Sequence, residues 1–246
     1  MRKSKYLILS GLYFDFNDDL SEITNVKELF KNQNILDLFR FDKIKSIKKR
    51  QFMKKKLNFI YLPKNIEKID NDAFCKNQIK ILYLPNYINL KIIESWSFWN
   101  NQIKQLKLPK NIEDIRFCAF EDNQIESIDL SNCINLNIIK SWAFESNKIK
   151  QLKLPKNIEE IKYSSFEDNQ IESLDLSNYT KLKRIRDNAF SNNPLNEIKI
   201  LDNIEIGYDK KYIDDLWNRF VKYYNGTGKK SGDYKLENNE WQWYPL

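Results

Sequence analysis

Large hydrophobic residues recur at a fixed spacing over most of the chain. A phenylalanine appears at alternating steps of 22 and 24 residues, and a frame with the spacing L-x-x-L-x-L starts five residues after each one. Successive side chains of a β-strand point to opposite faces, so the L-x-L part predicts a short strand with its leucines inward. One repeat cannot bury its own apolar face, and neighbouring repeats are therefore expected to stack. The phenylalanines are Phe52, Phe74, Phe98, Phe120, Phe144, Phe166 and Phe190.

The alternating step makes the true unit of the pattern two repeats long. Residues 103–148 and 149–194 are identical at 29 of 46 positions, which indicates an internal duplication. A further step of 22 residues before Phe52 leads to Phe30. A degenerate repeat is therefore expected to begin near Phe30, ahead of the regular ones.

Two further sets of positions fill the interior of each repeat. An isoleucine pair such as Ile112 and Ile115 lies between the L-x-L frame and the next phenylalanine, and its members are expected to be buried. An asparagine also stands three residues after six of the phenylalanines. An inward amide there is expected to satisfy backbone groups of adjacent coils and to form a ladder. These residues are Asn77, Asn101, Asn123, Asn147, Asn169 and Asn193.

The sequence around the phenylalanines resembles a known repeat family. The relevant strings are A-F-C-K-N-Q-I at 73–79 and F-E-D-N-Q-I at 120–125, with L-P-K-N-I between successive phenylalanines. They are similar to BspA-like bacterial leucine-rich repeats over about residues 44–206. The segment 220–241 is similar to the closing segment of spirochaetal members. The resemblance implies surface proteins and adhesins that bind host proteins.

Pattern and resemblance together predict an α/β repeat fold, a right-handed leucine-rich repeat solenoid. A parallel sheet is expected on one face and short loops and turns on the opposite face. We expect the solenoid to occupy residues 43–206, in alternating coils of 22 and 24 residues. Each end is expected to carry a cap, because an open end exposes apolar core and unpaired strand edges.

The N-terminal cap is expected over residues 1–42, with a strand near Lys5–Phe14. Asp18 and Asp19 are candidate N-caps of a following helix, because apolar residues after them recur at roughly helical spacing. The residues with this spacing are Leu20, Ile23, Val26 and Phe30.

The C-terminal cap is expected over residues 207–246. Apolar residues at i, i+3, i+4, i+7, i+8 and i+11 predict an amphipathic helix over 209–224. Two alternating stretches that flank Asn238 and Asn239 predict a hairpin over 232–244.

The composition excludes several kinds of chemistry. The chain has 41 Lys and Arg residues, 34 Asp and Glu residues and no histidine, for a formal net charge of +7. Without an imidazole, Ser–His and Cys–His nucleophiles and histidine-ligated metal sites are excluded. Cys75, Cys118 and Cys133 are one ligand short of a tetrahedral zinc site and are expected to be buried. We expect no cofactor, no metal site and no enzymatic activity.

The residues that flank the strand leucines point away from the core and form the outer face of the sheet. In two adjacent coils near the N-terminus they are Phe59, Tyr61, Ile81 and Tyr83, four large apolar groups. Apolar patches of this kind often mark contact sites with a partner. The alternative is that the N-terminal cap, or its segment 32–43, folds over them.

The same face carries alternating charges in the later coils. Neighbouring strands lie about 4.8 Å apart, so opposite charges are expected to face each other across each rung. This arrangement avoids repulsion between like charges, and the alternative is a polar ligand-binding face. Lys107 and Asp129 are therefore also candidates for partner binding. The alternating residues are Lys107, Asp129, Lys153, Asp175 and Lys199.

A dense basic run lies at the start of the solenoid. Eight cations and no acid fall within residues 43–56. Such a run attracts phosphate backbones or anionic lipid head groups, and the alternative is a solvated face that keeps the protein soluble. The anion-binding candidates are Lys45, Lys48, Lys49, Arg50, Lys54, Lys55 and Lys56.

The sequence therefore predicts a monomeric, non-catalytic module that binds a protein, with the adhesin-like role that the resemblance implies. The alternative is an electrostatic binder of nucleic acid or an anionic lipid surface through coil 43–56. No stretch reaches the roughly 20 apolar residues of a membrane helix. Residues 1–14 carry cations and an apolar run but no small-x-small cleavage site. A cytoplasmic location is expected by default, and the resemblance implies the cell surface instead.

Overall fold

The computed structural model describes residues 5–9, 12–16, 23–28, 35–208 and 215–245. Within 35–208 the chain winds into a parallel β-solenoid of about seven coils, as the repeat predicted. Each coil contains an L-x-L strand, a second and shorter strand, and a tight turn that carries the phenylalanine.

The first ladder of strands coincides with the L-x-L positions and is called the front face. The central residue of each strand points inward, and the flanking residues of most strands are exposed. This alternation is the period of two that the sequence showed. The strands are Ile35–Asp37, Phe59–Tyr61, Ile81–Tyr83, Gln105–Lys107, Ser127–Asp129, Gln151–Lys153, Ser173–Asp175 and Glu197–Ile200.

The opposite side of the coils carries a second sheet, where only loops and turns were expected. Its eight two-residue strands pair in parallel from one end to the other. Each strand contains a buried isoleucine of the second apolar set, and stacking these residues brings neighbouring backbones within hydrogen-bonding distance. The strands are Ser46–Ile47, Lys68–Ile69, Ile92–Ile93, Asp114–Ile115, Ile138–Ile139, Glu160–Ile161, Arg184–Ile185 and Glu205–Ile206.

The tight turns are held by two interior columns. The seven phenylalanine rings are fully buried and stack along the solenoid, with centroids 5.4 to 5.6 Å apart. Beside them the predicted asparagine ladder is confirmed. The Asn123 amide donates to the carbonyls of Phe98 and Phe120 at 3.0 and 3.1 Å, and its oxygen accepts from the N–H of Ile103 at 3.0 Å. One side chain thus connects its own turn to the preceding coil.

The front ladder is interrupted at every second coil. Within residues 35–208, its strands pair across the 24-residue steps, whereas the 22-residue steps divide the face into separate sheets. At those steps a side chain from the longer coil bonds to the preceding coil instead. The Tyr87 hydroxyl donates to the carbonyl of Leu62 at 3.2 Å, and the Tyr179 hydroxyl accepts from the N–H of Leu154 at 3.1 Å. Cys133 takes the equivalent position.

The N-terminal segment differs from the helical cap that the sequence predicted. Strands Lys5–Leu9, Leu12–Phe16 and Ile23–Glu28 form a three-stranded antiparallel sheet. The helix is wrong at 23–28, since Ile, Thr and Val are β-branched and favour strands over helices. Asp18, Asp19 and Phe30 lie outside the described residues.

The early coil that was expected near Phe30 is described from Ile35 onward. Its strand Ile35–Asp37 pairs in parallel with Phe59–Tyr61. The N-terminal sheet lies beside the first tight turn, because the Gln51 side chain donates to the carbonyl of Ile23 at 2.8 Å.

The C-terminal segment closes the other end of the solenoid. Helix Leu216–Gly226 begins after Asp215, whose side chain accepts from the N–H of Asn218, and residues 209–214 lie outside the described residues. Trp217 continues the ring stack, 5.1 Å from Phe190. Strand Gly232–Glu237 pairs antiparallel with Glu197–Ile200 and with Glu240–Tyr244, which extends the front face into a hairpin. The described helix thus lies in the cap, and the repeats themselves are built from strands and turns.

The asparagine ladder yields a stability prediction. We expect Asn123→Ala to lower the free energy of unfolding by about 2–4 kcal/mol, because it leaves buried carbonyls and an N–H without their partner. Urea unfolding followed by circular dichroism measures this change.

The matched control is Asn157→Ala. Asn157 donates one exposed bond to the carbonyl of Ile134, so its loss is expected to cost less than about 1 kcal/mol. Equal losses in the two variants would contradict the role that we assign to the ladder.

Candidate interaction surfaces

The front face exposes the four apolar residues that the sequence singled out. Phe59, Tyr61, Ile81 and Tyr83 are 40 to 67% exposed, where a core residue is close to zero. Two residues of the early coil enlarge this surface. Ile35 lies beside Phe59 in the ladder, and it and Phe39 are each more than 40% exposed. We call these six residues the apolar patch; they are Ile35, Phe39, Phe59, Tyr61, Ile81 and Tyr83.

The segment 35–43 extends the patch and does not shield it. The alternative from the sequence was that the N-terminal cap or the segment 32–43 covers the patch. Among residues 35–43, strand Ile35–Asp37 runs alongside Phe59–Tyr61 in the same sheet. Residues 32–34 lie outside the described residues. The sequence contained a signal for this coil, since Ile35 precedes Phe59 by 24 residues, but no phenylalanine of the regular register marked it.

A cavity of about 340 Å³ opens beside the patch. It lies where Tyr87 interrupts the front ladder, and Tyr83 and Phe39 line it on the patch side. Lys64 holds its ammonium group 4.7 Å from the centroid of the Phe39 ring, which is a cation–π contact. The patch therefore combines a convex apolar surface with a recess that accepts a side chain. The lining residues are Phe39, Lys64, Tyr83, Pro85, Asn86 and Tyr87.

The alternating charges of the front face are in register but are not uniformly paired. Asp129 lies opposite Lys153, and their side chains approach to 3.6 Å. Lys199 lies opposite Asp175 but contacts Glu197 at 3.6 Å. Asp129 itself accepts a 2.6 Å hydrogen bond from the Ser131 hydroxyl, which, together with nearby lysines, lowers its pKa. Local serine bonds thus position this aspartate as much as the rung does.

A denser network of ion pairs lies on the second sheet. Glu160 is buried and contacts Lys162, Arg184 and Arg186, at 2.9, 3.3 and 2.6 Å. Burial alone would raise the pKa of Glu160, but hydrogen bonds from the three cations hold it at about 2. Glu94 is the corresponding buried acid of an earlier coil, 2.6 Å from Arg116.

The basic run is spread around the first coils. Lys45 and Arg50 form ion pairs with Glu67 and Asp72 of the next coil, at 2.9 and 3.1 Å. The run passes through strand Ser46–Ile47 and then through the first tight turn. Its cations therefore do not form one compact anion site. Exposed members of the run are Lys43, Lys45, Lys48, Lys49, Arg50, Lys54 and Lys56, and Lys55 is half-buried.

The tight turns of the later coils carry carboxylates. Glu121, Glu145 and Glu167 each follow a phenylalanine of the buried stack and are half-buried. Burial raises the pKa of Glu145 from its ordinary value of 4.5 to about 8, and the carboxylates of Glu121 and Glu167 add to this effect, followed by those of Asp168 and Asp122. The same burial raises the pKa of Glu121.

The three cysteines are buried free thiols, as expected. Burial raises the pKa of Cys75 and of Cys133 to about 11, so neither is a reactive thiolate at neutral pH. No group of three or more metal-ligating side chains occurs within the described ranges. The described part of the chain also has no helix long and apolar enough to cross a membrane.

Comparison with known sequences identifies the repeat. A family model for the BspA type leucine rich repeat region matches in six copies, over residues 22–135 and 91–212. No curated protein matches the chain.

Two solved structures are similar to this fold. A leucine rich cell surface protein from Faecalibacterium prausnitzii A2-165 is 14% identical with a TM-score of 0.59; the match covers 98% of this chain and 62% of that protein. A leucine-rich repeat protein from Bacteroides ovatus ATCC 8483 is also 14% identical, with a TM-score of 0.39 over 82% of this chain and 67% of its own. The chain thus spans about three fifths of the first protein's length, and that match shows a shared fold.

The carboxylates of the tight turns yield a pH-dependent prediction. The folded protein retains the Glu145 proton up to about pH 8, whereas the unfolded chain loses it near pH 4.5. The resulting stabilisation is present below about pH 4.5 and is lost as the pH rises to about 8. We therefore expect Glu145→Gln to raise the melting temperature relative to wild type more at pH 8 than at pH 4.5.

The control for this measurement is Glu126→Gln, because Glu126 is exposed on the same side of the duplication. Thermal melts of both variants across pH 4.5–8 test the assignment. A Glu145→Gln effect that does not change with pH would contradict it.

Proposed function

Because the chain belongs to the family of BspA-type leucine-rich repeat proteins, we propose that it is a non-catalytic module that binds a protein partner through the apolar patch. The observation that carries this proposal is the exposure of six large apolar side chains on three adjacent coils of one sheet face. Repeat proteins of this class use such extended faces for binding.

The composition of the patch supports a protein ligand. Tyrosine and phenylalanine dominate it, and aromatic residues are enriched at the energetic centres of protein interfaces. Their side chains have few rotatable bonds, so they lose little conformational entropy when a partner binds. Tyr61 and Tyr83 also keep a hydroxyl for hydrogen bonding, which tolerates exposure before binding.

The cavity beside the patch supplies an anchoring site. A partner side chain that enters between Phe39 and Tyr83 would be enclosed by rings and by Pro85. Binding pockets with an apolar lining and a few polar groups orient a ligand in this way. Lys107, on the next strand, and Asp129, one coil farther, then supply a charged rim to the patch.

We assign this binding to a cell surface. The structural relative from Faecalibacterium prausnitzii is named a leucine rich cell surface protein, and the shared fold supports an adhesin-like role in contact with host or neighbouring cells. This assignment replaces the cytoplasmic location expected by default from the N-terminal sequence.

The patch predicts a loss of binding on substitution. We expect the variant Phe59→Ala/Tyr61→Ala/Ile81→Ala/Tyr83→Ala to capture its partner at least about 100-fold more weakly, since each central aromatic contributes about 1–2 kcal/mol. A photo-crosslinking residue at position 83 identifies the partner in host and bacterial lysates, and a quantitative binding assay with that partner measures the loss.

The control carries alanine at four positions of the same face in later coils, Gln151, Lys153, Ser173 and Asp175. It is expected to bind as wild type does, and thermal melts verify that both variants fold. Undiminished binding by the patch variant would refute the proposal. Binding at about 0.1 M salt that disappears at about 0.5 M would instead favour the basic run as the binding site.

A further inference from the structure

One position of each tight turn forms a continuous row along the solenoid. It lies two residues after each buried phenylalanine, and its φ is between 53° and 58° in all seven coils. The same backbone conformation therefore recurs at every member, and the row defines one ridge of the molecule, here called the turn ridge. From the first coil to the last its members are Lys54, Lys76, Asn100, Asp122, Ser146, Asp168 and Asn192.

Charge changes sign along the turn ridge. Lys54 and Lys76 are exposed cations in the first two coils, and Asp122 and Asp168 are acids in the fourth and sixth. The fifth coil contributes Glu145, the neighbour of Ser146. One half of the ridge is thus basic and the other half is acidic.

This order is self-complementary when the ridge is reversed. A two-fold axis between the third and fourth coils places the first coil opposite the sixth, and the second opposite the fifth. Lys54 then faces Asp168, Lys76 faces Ser146 and Glu145, and Asn100 faces Asp122. A two-fold dimer requires this property, because the same patch of each copy must match itself in the opposite direction.

Aromatic side chains lie in the turns at the centre of this arrangement. The Phe117 ring contacts the rings of Trp96 and Trp142, each at a centroid distance of 4.9 Å. Trp96 and Phe117 are more than a third exposed in the single chain. They belong to the third and fourth coils, which flank the two-fold axis. Apolar groups at the centre and charges at the ends are the usual distribution in an interface.

The acidic half has unfavourable crowding that a cation would relieve. Glu145 is half-buried among the carboxylates of Glu121 and Glu167, with Asp122 and Asp168 nearby, and these groups together hold its pKa at about 8. A lysine approaching from outside would favour the ionised form.

We propose that two copies of this chain associate antiparallel along their turn ridges, with the basic half of each against the acidic half of the other. A polyanion would engage only the basic half of the ridge, and a basic peptide only the acidic half. A second copy engages both halves with one surface. The monomer expected from the sequence is then the dissociated form, and the apolar patch on the front face lies outside the interface.

The contact is a narrow ridge, so we expect a weak dimer whose affinity depends on ionic strength. Sedimentation velocity of the full chain is expected to show a dimer at high micromolar concentration in about 50 mM NaCl. In about 500 mM NaCl the dissociation constant is expected to rise at least about tenfold. A wild-type protein that stays monomeric in low salt would overturn the proposal by itself.

A charge swap tests the register of the dimer. The first variant is Lys54→Asp/Lys76→Asp, and the second is Ser146→Lys/Asp168→Lys. Because the ridge already holds lysine and aspartate at the same φ in different coils, each replacement has a precedent in this chain. Each variant alone places like charges face to face and is expected to be monomeric. An equimolar mixture is expected to restore a one-to-one dimer.

Dimers formed by either variant alone, or no association in the mixture, would overturn the antiparallel register. Thermal melts check that both variants fold, and the wild-type salt series stands independently of them. The alanine variant of the four front-face residues is the matched control, and it should dimerise as wild type does. Loss of its partner binding with an intact dimer would separate this inference from the proposed function.

Discussion

The backbone of the tight turns must find hydrogen-bond partners inside the protein, and the rest of the structure depends on how it does so. The turn that carries each phenylalanine is buried, so its carbonyl and N–H groups have no access to water. An unsatisfied buried group costs about 1–3 kcal/mol, and the turn recurs in every coil. One asparagine amide per coil meets this need. Asn77, for example, joins the carbonyls of Phe52 and Phe74 and accepts from the N–H of Leu57.

This constraint also fixes the outer surface. Since each amide sets the register between two coils, residues at equivalent positions stack into straight columns, and a surface feature is a column rather than a cluster of loops. The apolar patch, the charges of the second sheet and the turn ridge lie on different sides of the same coils. A substitution on one column therefore leaves the others in place, which allows the surfaces to change independently.

Repetition decides how much the sequence foretells. The phenylalanine and asparagine columns are predictable because one residue type recurs at a constant step. The second sheet is not, because a two-residue strand such as Ile138–Ile139 is too short to show a period. At Ile23–Glu28, helical spacing and β-branched residues disagreed, and pairing with Leu12–Phe16 decided for the strand. Ile35 and Phe39 joined the patch unannounced because their coil lacks a phenylalanine of the regular register.

The interrupted front ladder has a consequence for how the gene lengthens. Tyr87, Cys133 and Tyr179 occur only in the longer coil of each pair, and each bonds to a shorter coil before it. Inserting or deleting a single coil would bring two like coils together, and one of them would lack its partner. A 46-residue block carries both members and recreates the same junction at each end. Unequal recombination can therefore extend or shorten this protein in even numbers of coils, and the near-identity of 103–148 and 149–194 is the trace of one such event.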